Sequence, residues 1–322
     1  MHAPRAGKRA TNLSRRRPAV LALVIAVLAV SWAAILIRLA GADPMVIAFW
    51  RLALATLLLF PVAGWPWLRQ RRPVTVERQG IFAPVLAPGC LLALHFALWI
   101  HSLFLTTVAS SVILVSTQPL FAALVAGRLL GEAPLPRTWW AIAVTVMGVA
   151  LIATGDLGLS ARAVGGDLMA MAAAAAAALY LVLGRRARES GPLLLYLLKV
   201  NGIAAAVLLA GCLLKRAPLL GHSRSTWEIF LALAVGPHLA GHGLLNLAVR
   251  WLPAPMVNLS LAGEPVLSTL YAAVLFQEWP GSWFYAGAGL VLAGLALEFL
   301  GPRVADRPAS RPGCRTSWRD TP

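Results

Sequence analysis

Long apolar stretches alternate along this chain with short polar segments rich in Arg, Gly and Pro. Ten stretches stand out, at 19–37, 45–63, 81–103, 108–132, 139–153, 167–183, 193–214, 229–249, 254–279 and 283–300. A bilayer core of about 30 Å needs roughly 20 helical residues rising about 1.5 Å each, so the pattern predicts ten membrane-spanning helices, numbered spans one to ten. Span one is too long for the apolar core of a secretory signal and lacks a small-residue cleavage site, so it reads as an uncleaved helix. Pro84 and Pro88 are expected to kink the first half of span three, and the alanine run 172–178 suits close packing of span six.

Span nine carries Glu264 and Pro265 near its midpoint, and span four carries Gln118 and Pro119 at its centre. Both features are costly at bilayer depth, because the charge lacks water and the proline ring removes a backbone N–H. Such positions usually line a cavity. Sliding the sequence on itself by 146 residues aligns Pro119 with Pro265, Glu132 with Glu278 and Gly148 with Gly294; an offset of 148 aligns Trp32 with Tyr180, Pro44 with Pro192 and Arg51 with Lys199. The expected organisation is a tail at 1–18, a five-helix repeat at 19–154, a second at 165–300 and a tail at 301–322. Five is odd, so the second repeat must enter the membrane in the opposite sense, which makes the fold an all-α integral membrane protein of two inverted repeats.

Composition fits this pattern. Hydrophobic residues make up 59% of the 322 positions and charged residues 12%, about half the charged fraction of a soluble domain. The formal charge of +16 could suggest nucleic acid, yet the basic residues sit in tails and short loops. With the N-terminus inside, 21 of the 28 Lys and Arg fall on the cytoplasmic side and 5 on the outer side, leaving Arg51 and Lys199 within the membrane. Basic loops are retained in the cytoplasm, so both termini are expected there. Cys90, Cys212 and Cys314 show no paired spacing for a disulfide framework or a zinc site.

Three motifs resemble the EamA-type family of the drug/metabolite transporter superfamily. They are FWRLALATLLL at 49–59; QPLFAALVAGRLLGE at 118–132 with its counterpart EPVLSTLYAAVLFQE at 264–278; and the glycine-containing runs MGVALI at 147–152 and AGLAL at 293–297. The second copy departs from the family pattern at Gln277, where Gly is usual. The resemblance covers roughly 20–300 and implies a transporter in the cell membrane carrying a small metabolite. It identifies the fold well and the solute poorly.

The candidate translocation path is drawn from polar and aromatic residues inside the spans. Arg51 and Lys199 are each the seventh residue of their spans, about 9–10 Å below the membrane surface, with Arg51 toward the outer side and Lys199 toward the inner. Each either snorkels to the nearest interface or faces the path, where a cation near each mouth would suit an anionic or zwitterionic solute. Glu264 is a substrate contact, a proton-coupling carboxylate or a partner for backbone freed by Pro265, and Gln118 holds the matching position without charge. His238, His242 and Asn246 recur every four residues and so share one face of span eight; His95, Trp99 and Ser102 form a comparable stripe on span three. Asn258 adds a hydrogen-bonding group to the cavity, and Trp32 and Tyr180 add aromatic surface, with plain packing the more ordinary role for both rings. Glu132 and Glu278 close their helices near opposite interfaces and read as helix-end partners.

No phosphate-binding GxxxxGK[ST] loop is present, so transport would be secondary, driven by the solute gradient, exchange or protons. The expected activity is export of an amino-acid-like, nucleobase-like or amphipathic drug-like solute, with an importer or nucleotide-sugar-type exchanger as the alternative within the class. An intramembrane enzyme using His238 and His242 lacks a catalytic constellation, and a scaffold would leave Arg51, Lys199 and Glu264 without a role. The partners expected are a solute and membrane lipid, with a homodimer left open; no cofactor, metal or nucleic acid is expected.

Overall fold

A computed structural model of the chain describes residues 6–65, 83–129, 135–157, 160–189, 192–248, 261 and 263–300, and every regular element among them is helical. Seven helices are long and apolar enough to cross a membrane, and three more, Pro136–Ile152, Gly263–Phe276 and Ser282–Leu297, are apolar but shorter within the described residues. Spans six and eight begin earlier than their apolar stretches, at Ala161 and Arg224. Serine caps explain both: Ser160 Oγ accepts the Ala163 N–H at 3.1 Å and Ser223 Oγ accepts the Thr226 N–H at 3.2 Å. Such caps satisfy helix-end donors in polar segments that a hydrophobicity pattern leaves out. The turn between spans one and two is equally local. Gly41 takes the left-handed conformation at φ 61°, Asp43 caps the Met45 N–H at 2.8 Å, and Pro44 opens the next helix.

Span four differs from the continuous helix expected with Gln118 at its centre. It is two helices, Val108–Val115 and Gln118–Leu129, with Ser116 and Thr117 in a turn between them, so Gln118 begins the second. Pro119 has no N–H to continue the ladder, and hydroxyls take over: Ser116 Oγ donates to Val112 O at 2.8 Å and Thr117 Oγ1 to Leu114 O at 2.7 Å. Span one breaks likewise at Trp32, where Ser31 Oγ donates to Val27 O and Ser268 Oγ of span nine donates to the Ser31 carbonyl at 2.8 Å. In span nine, Glu264 lies in the first turn of Gly263–Phe276; residues 254–260 and 262, which the continuous 254–279 helix also required, lie outside the described residues. Span eight carries a π-helical segment at Ala234–Gly241 around Pro237, a wider winding that accommodates the missing N–H.

Gln277 closes span nine in the left-handed region at φ 57° and donates its Nε2–H to Val274 O at 3.0 Å. It occupies the conformation that glycine takes without strain in this family pattern, and its side chain supplies the closing hydrogen bond instead.

The surface is apolar as well as the core, and a few polar groups are buried. Leu57, Leu168, Val274 and Trp140 are exposed, while Arg51, Asp167 and Asn201 are buried. That arrangement suits a lipid surround, where only polar groups must find protein partners. Spans three, four and six pack together, and spans eight, nine and one pack together as their repeat counterparts; spans two and seven pair, as do spans five and ten. Exchanging the repeats leaves this scheme unchanged, as an internal twofold requires.

The pairing of spans five and ten rests on glycine. A Cβ on Gly148 would stand 2.6 Å from the Gly287 carbonyl oxygen, and one on Gly287 would stand 2.6 Å from that of Gly148. Neither backbone can yield, because small residues at such crossings let helices approach to backbone contact. Gly148→Val is therefore expected to destabilise the protein by about 1–3 kcal/mol and sharply reduce folded yield in detergent. Gly289→Ala, on the same span ten but with open space around it, should leave thermal stability unchanged. Equal loss in both variants would remove the argument for a backbone-tight crossing.

Candidate functional site

Arg51 sits eight residues into the helix Pro44–Leu59 and is 1% exposed. Its guanidinium lies 4.6 Å from the centroid of the Phe96 ring and 5.7 Å from that of Trp99, both on span three. It thus does not snorkel to an interface. Packing places it in the hydrophobic core, because two aromatic faces offer a cation a favourable site away from water. Its Nε and Nη1 are buried without a hydrogen-bond partner among the described residues, and so is the indole Nε1 of Trp99.

Around this cation the rings form a continuous wall. His95 lies 4.8 Å from Phe96 and is stacked on Trp99 at 6.0 Å; Phe96 approaches His238 of span eight at 5.8 Å, and His238 lies 6.0 Å from His242. His95 Nδ1 is 3.0 Å from the Ala173 carbonyl, which can only accept, so that nitrogen carries the proton. Glu264, in the first turn of Gly263–Phe276, is the acidic candidate of the site and makes no ion pair or hydrogen bond with Arg51 among the described residues. His242 is exposed, and His95, His238 and Glu264 are partly so, while Arg51 is fully buried. These four groups, from spans three, eight and nine, together with Arg51 of span two, make up the candidate site.

The remaining sequence candidates fall around this cluster or away from it. Trp32, 40% exposed at the break in span one, stacks on Tyr271 of span nine at 4.8 Å. Gln118 and Tyr180 are partly buried. Lys199 is only partly buried, so the alignment with Arg51 does not give the two cations equivalent surroundings. Ser102 departs from the span-three stripe: its hydroxyl bonds Trp99 O and Ser111 Oγ, both at 2.7 Å, at the junction with span four. His238 and His242 do share a face, but through the π-helical segment and not through a regular α-helix. Asn246 lies on His242–Ala248 with its side chain outside what is described, and Asn258 lies outside the described residues. Among the described residues no group of three His, Cys, Asp or Glu could hold a metal ion.

Phe96 and Tyr271 were not singled out from the sequence. Their aromatic type inside apolar spans was the available signal, and nothing in a lipid-facing pattern tells inward from outward. A separate apolar groove of about 370 Å³ runs between spans nine and ten, lined by Val266, Leu270, Tyr285 and Ala288 among others. Val266, Leu270 and Tyr285 are themselves exposed, so the groove faces lipid and lacks the polar chemistry of the Arg51 cluster.

The sequence profile of the EamA-like transporter family matches residues 17–154 and 164–300, two copies that together cover most of the chain. The chain belongs to the EamA-like transporter family. It is a multi-pass membrane protein of a transporter family, not of an enzyme family, and its substrate is a small-molecule solute. Among solved structures, one described as "Crystal structure of protein" resembles this EamA-like chain with a TM-score of 0.59 and 23% identity, covering 88% of this chain and 98% of that one. That likeness concerns the fold alone. No curated protein matches the sequence.

Proposed function

We propose that this EamA-like protein is a secondary active exporter in the plasma membrane, built from repeats at 19–154 and 165–300 with both terminal tails in the cytoplasm. Its solute is a small metabolite with a carboxylate or similar anionic group, most simply an amino-acid-like zwitterion. The observation that carries the reading is the Arg51 guanidinium, buried on Phe96 and Trp99 with Nε and Nη1 unpartnered among the described residues. A buried N–H that lacks an acceptor costs about 1–3 kcal/mol, more for a charged group, and a solute carboxylate would remove that cost. A solute ammonium would find Glu264 across the same space. Gln118, Lys199, His95, His238, His242, Asn246, Asn258, Trp32 and Tyr180 belong to the proposed path or its lining.

The test is a survival screen: the chain is overexpressed and cells are challenged with amino acids, nucleobases and amphipathic drugs. Export predicts resistance to a carboxylate-bearing solute and matching efflux of that labelled solute from loaded cells. Sensitisation to the same compound, with faster uptake, would establish an importer instead. Resistance confined to uncharged compounds would overturn the role given to Arg51.

A further inference from the structure

The polar ends of the spans hold a second charge cluster that the solute site does not use. Arg38, in the last turn of Ala33–Leu39 at the end of span one, forms an ion pair with Glu278, just past the helix Gly263–Phe276 at the end of span nine. Arg38 Nη1 also donates to the Leu103 carbonyl at 2.7 Å, where span three ends, and its guanidinium lies 5.3 Å from the Phe276 ring centroid. The Val108 N–H, where span four begins, donates to Glu278 Oε2 at 3.3 Å. Four helix ends therefore meet at one pair of charges.

We propose that the Arg38–Glu278 pair is a releasable latch that closes one mouth of the pathway. This rests on the transporter reading and goes beyond it. Arg38 and Glu278 both belong to the group of spans one, eight and nine, while Leu103 and Val108 belong to the group of spans three, four and six. Among the described residues, Ser268 bonds Ser31 and Thr226 bonds Ala40 inside the first group, and His95 bonds Ala173 and Thr106 bonds Asp167 inside the second. Spans four and nine also pack against each other at this boundary, so opening the latch removes the charged tie between the groups and leaves each group intact.

The chemistry suits reversible closure. The last carbonyls of a helix carry partial negative charge and its first N–H groups partial positive charge, so the cation meets the end of span three and the carboxylate the start of span four. The two side chains are 24% and 23% exposed, so water can solvate each charge once the contact parts. A fully buried pair would lack that alternative. The repeat offsets of 148 and 146 put Arg186 and Glu132 at the matching sequence positions of the other repeat, so the two charges belong to the repeat unit. With cytoplasmic termini, the latched mouth is the outer one.

The test is labelling of intact cells with a membrane-impermeant maleimide. The reporter is H242C in a full-length chain whose three native cysteines are replaced by serine, and no flux is read from this background. R38Q and E278Q are each expected to raise the outside labelling rate by about fivefold, the factor that a pair of about 1 kcal/mol gives. The exchanged chain R38E/E278R should stay fast, because it sets a carboxylate against the Leu103 carbonyl and a cation against the Val108 N–H. Restoration of slow labelling by the exchange would reduce the feature to a simple ion pair and overturn the helix-end latch. Wild-type rates in folded R38Q and E278Q, checked by size-exclusion profile, would overturn it outright. Should both neutralised chains misfold, R38K replaces them: the latch predicts labelling between the wild-type and fast rates, and a static fastener predicts the wild-type rate. Labelling reads the latch and flux reads the solute site, so either can fail without the other.

Discussion

Replacing Arg51 with Met is expected to lower solute flux by about 100-fold or more while leaving the protein at least as stable as the wild type. The two effects have one cause. Arg51 is 1% exposed, stacked on Phe96 and Trp99, and has no hydrogen-bond partner at Nε and Nη1 among the described residues. A buried charge without a direct ion pair costs the fold more than an apolar side chain of similar volume, and such replacements are often neutral or stabilising. Two charge-assisted hydrogen bonds to a solute, at about 1.5–3 kcal/mol each, would account for a loss of two orders of magnitude or more. Arg51→Lys should fall between, since it keeps the charge but loses the planar fork and much of the stacking. Flux in proteoliposomes and the thermal midpoint in detergent read the two effects separately. Near wild-type flux in the Met variant would remove Arg51 from the path, whereas parallel loss of flux and stability would make it a structural residue.

The second large effect is expected from Glu264→Gln, which keeps side-chain size and hydrogen bonding but can carry neither charge nor an exchangeable proton. Glu264 is only partly buried, which leaves part of its surface open to a solute or a proton. If it couples protons to transport, one unit of pH gradient supplies about 1.4 kcal/mol per proton, or tenfold accumulation. Wild-type protein in vesicles should then concentrate solute about tenfold under such a gradient, and Glu264→Gln should only equilibrate it. The variant should also favour purely anionic solutes over zwitterions, because nothing opposes the Arg51 charge. An unchanged response to the gradient would restrict Glu264 to a structural or neutral binding role. Gln118, the matching residue of the other repeat, has no charge to lose, so this function would belong to one half of the molecule only.

The two repeats are thus alike in packing and unlike in chemistry, and the sequence conveys the first point better than the second. Offsets of 146 and 148 match prolines, glycines and two cations, and the helix groups do exchange as those offsets require. Yet Arg51 is buried against aromatic rings while Lys199 is only partly buried. Equal sequence positions fix the depth along a helix. They do not fix which neighbours surround the side chain, and those neighbours decide whether a cation snorkels or turns inward. Glu278 fared better, since a charge closing an apolar stretch is bound to meet a helix end or an interface, and its carboxylate does accept the first N–H of span four.

The sequence by itself determined the number of apolar spans, their division into repeats, the family, and the residues on which intramembrane chemistry could rest. Those properties depend on local transfer energies: a run of about 20 apolar residues, or a single Glu or Arg within it, carries its cost wherever the helix lies. Tertiary structure alone decided that Arg51 faces Phe96 and Trp99, that span four parts at Ser116 and Thr117, and that Arg38 reaches Glu278 across 240 positions of chain. In water a helix marks its inner face by hydrophobicity, but lipid is as apolar as the protein core, so the inward faces of these helices are set by packing and polar pairing between distant spans.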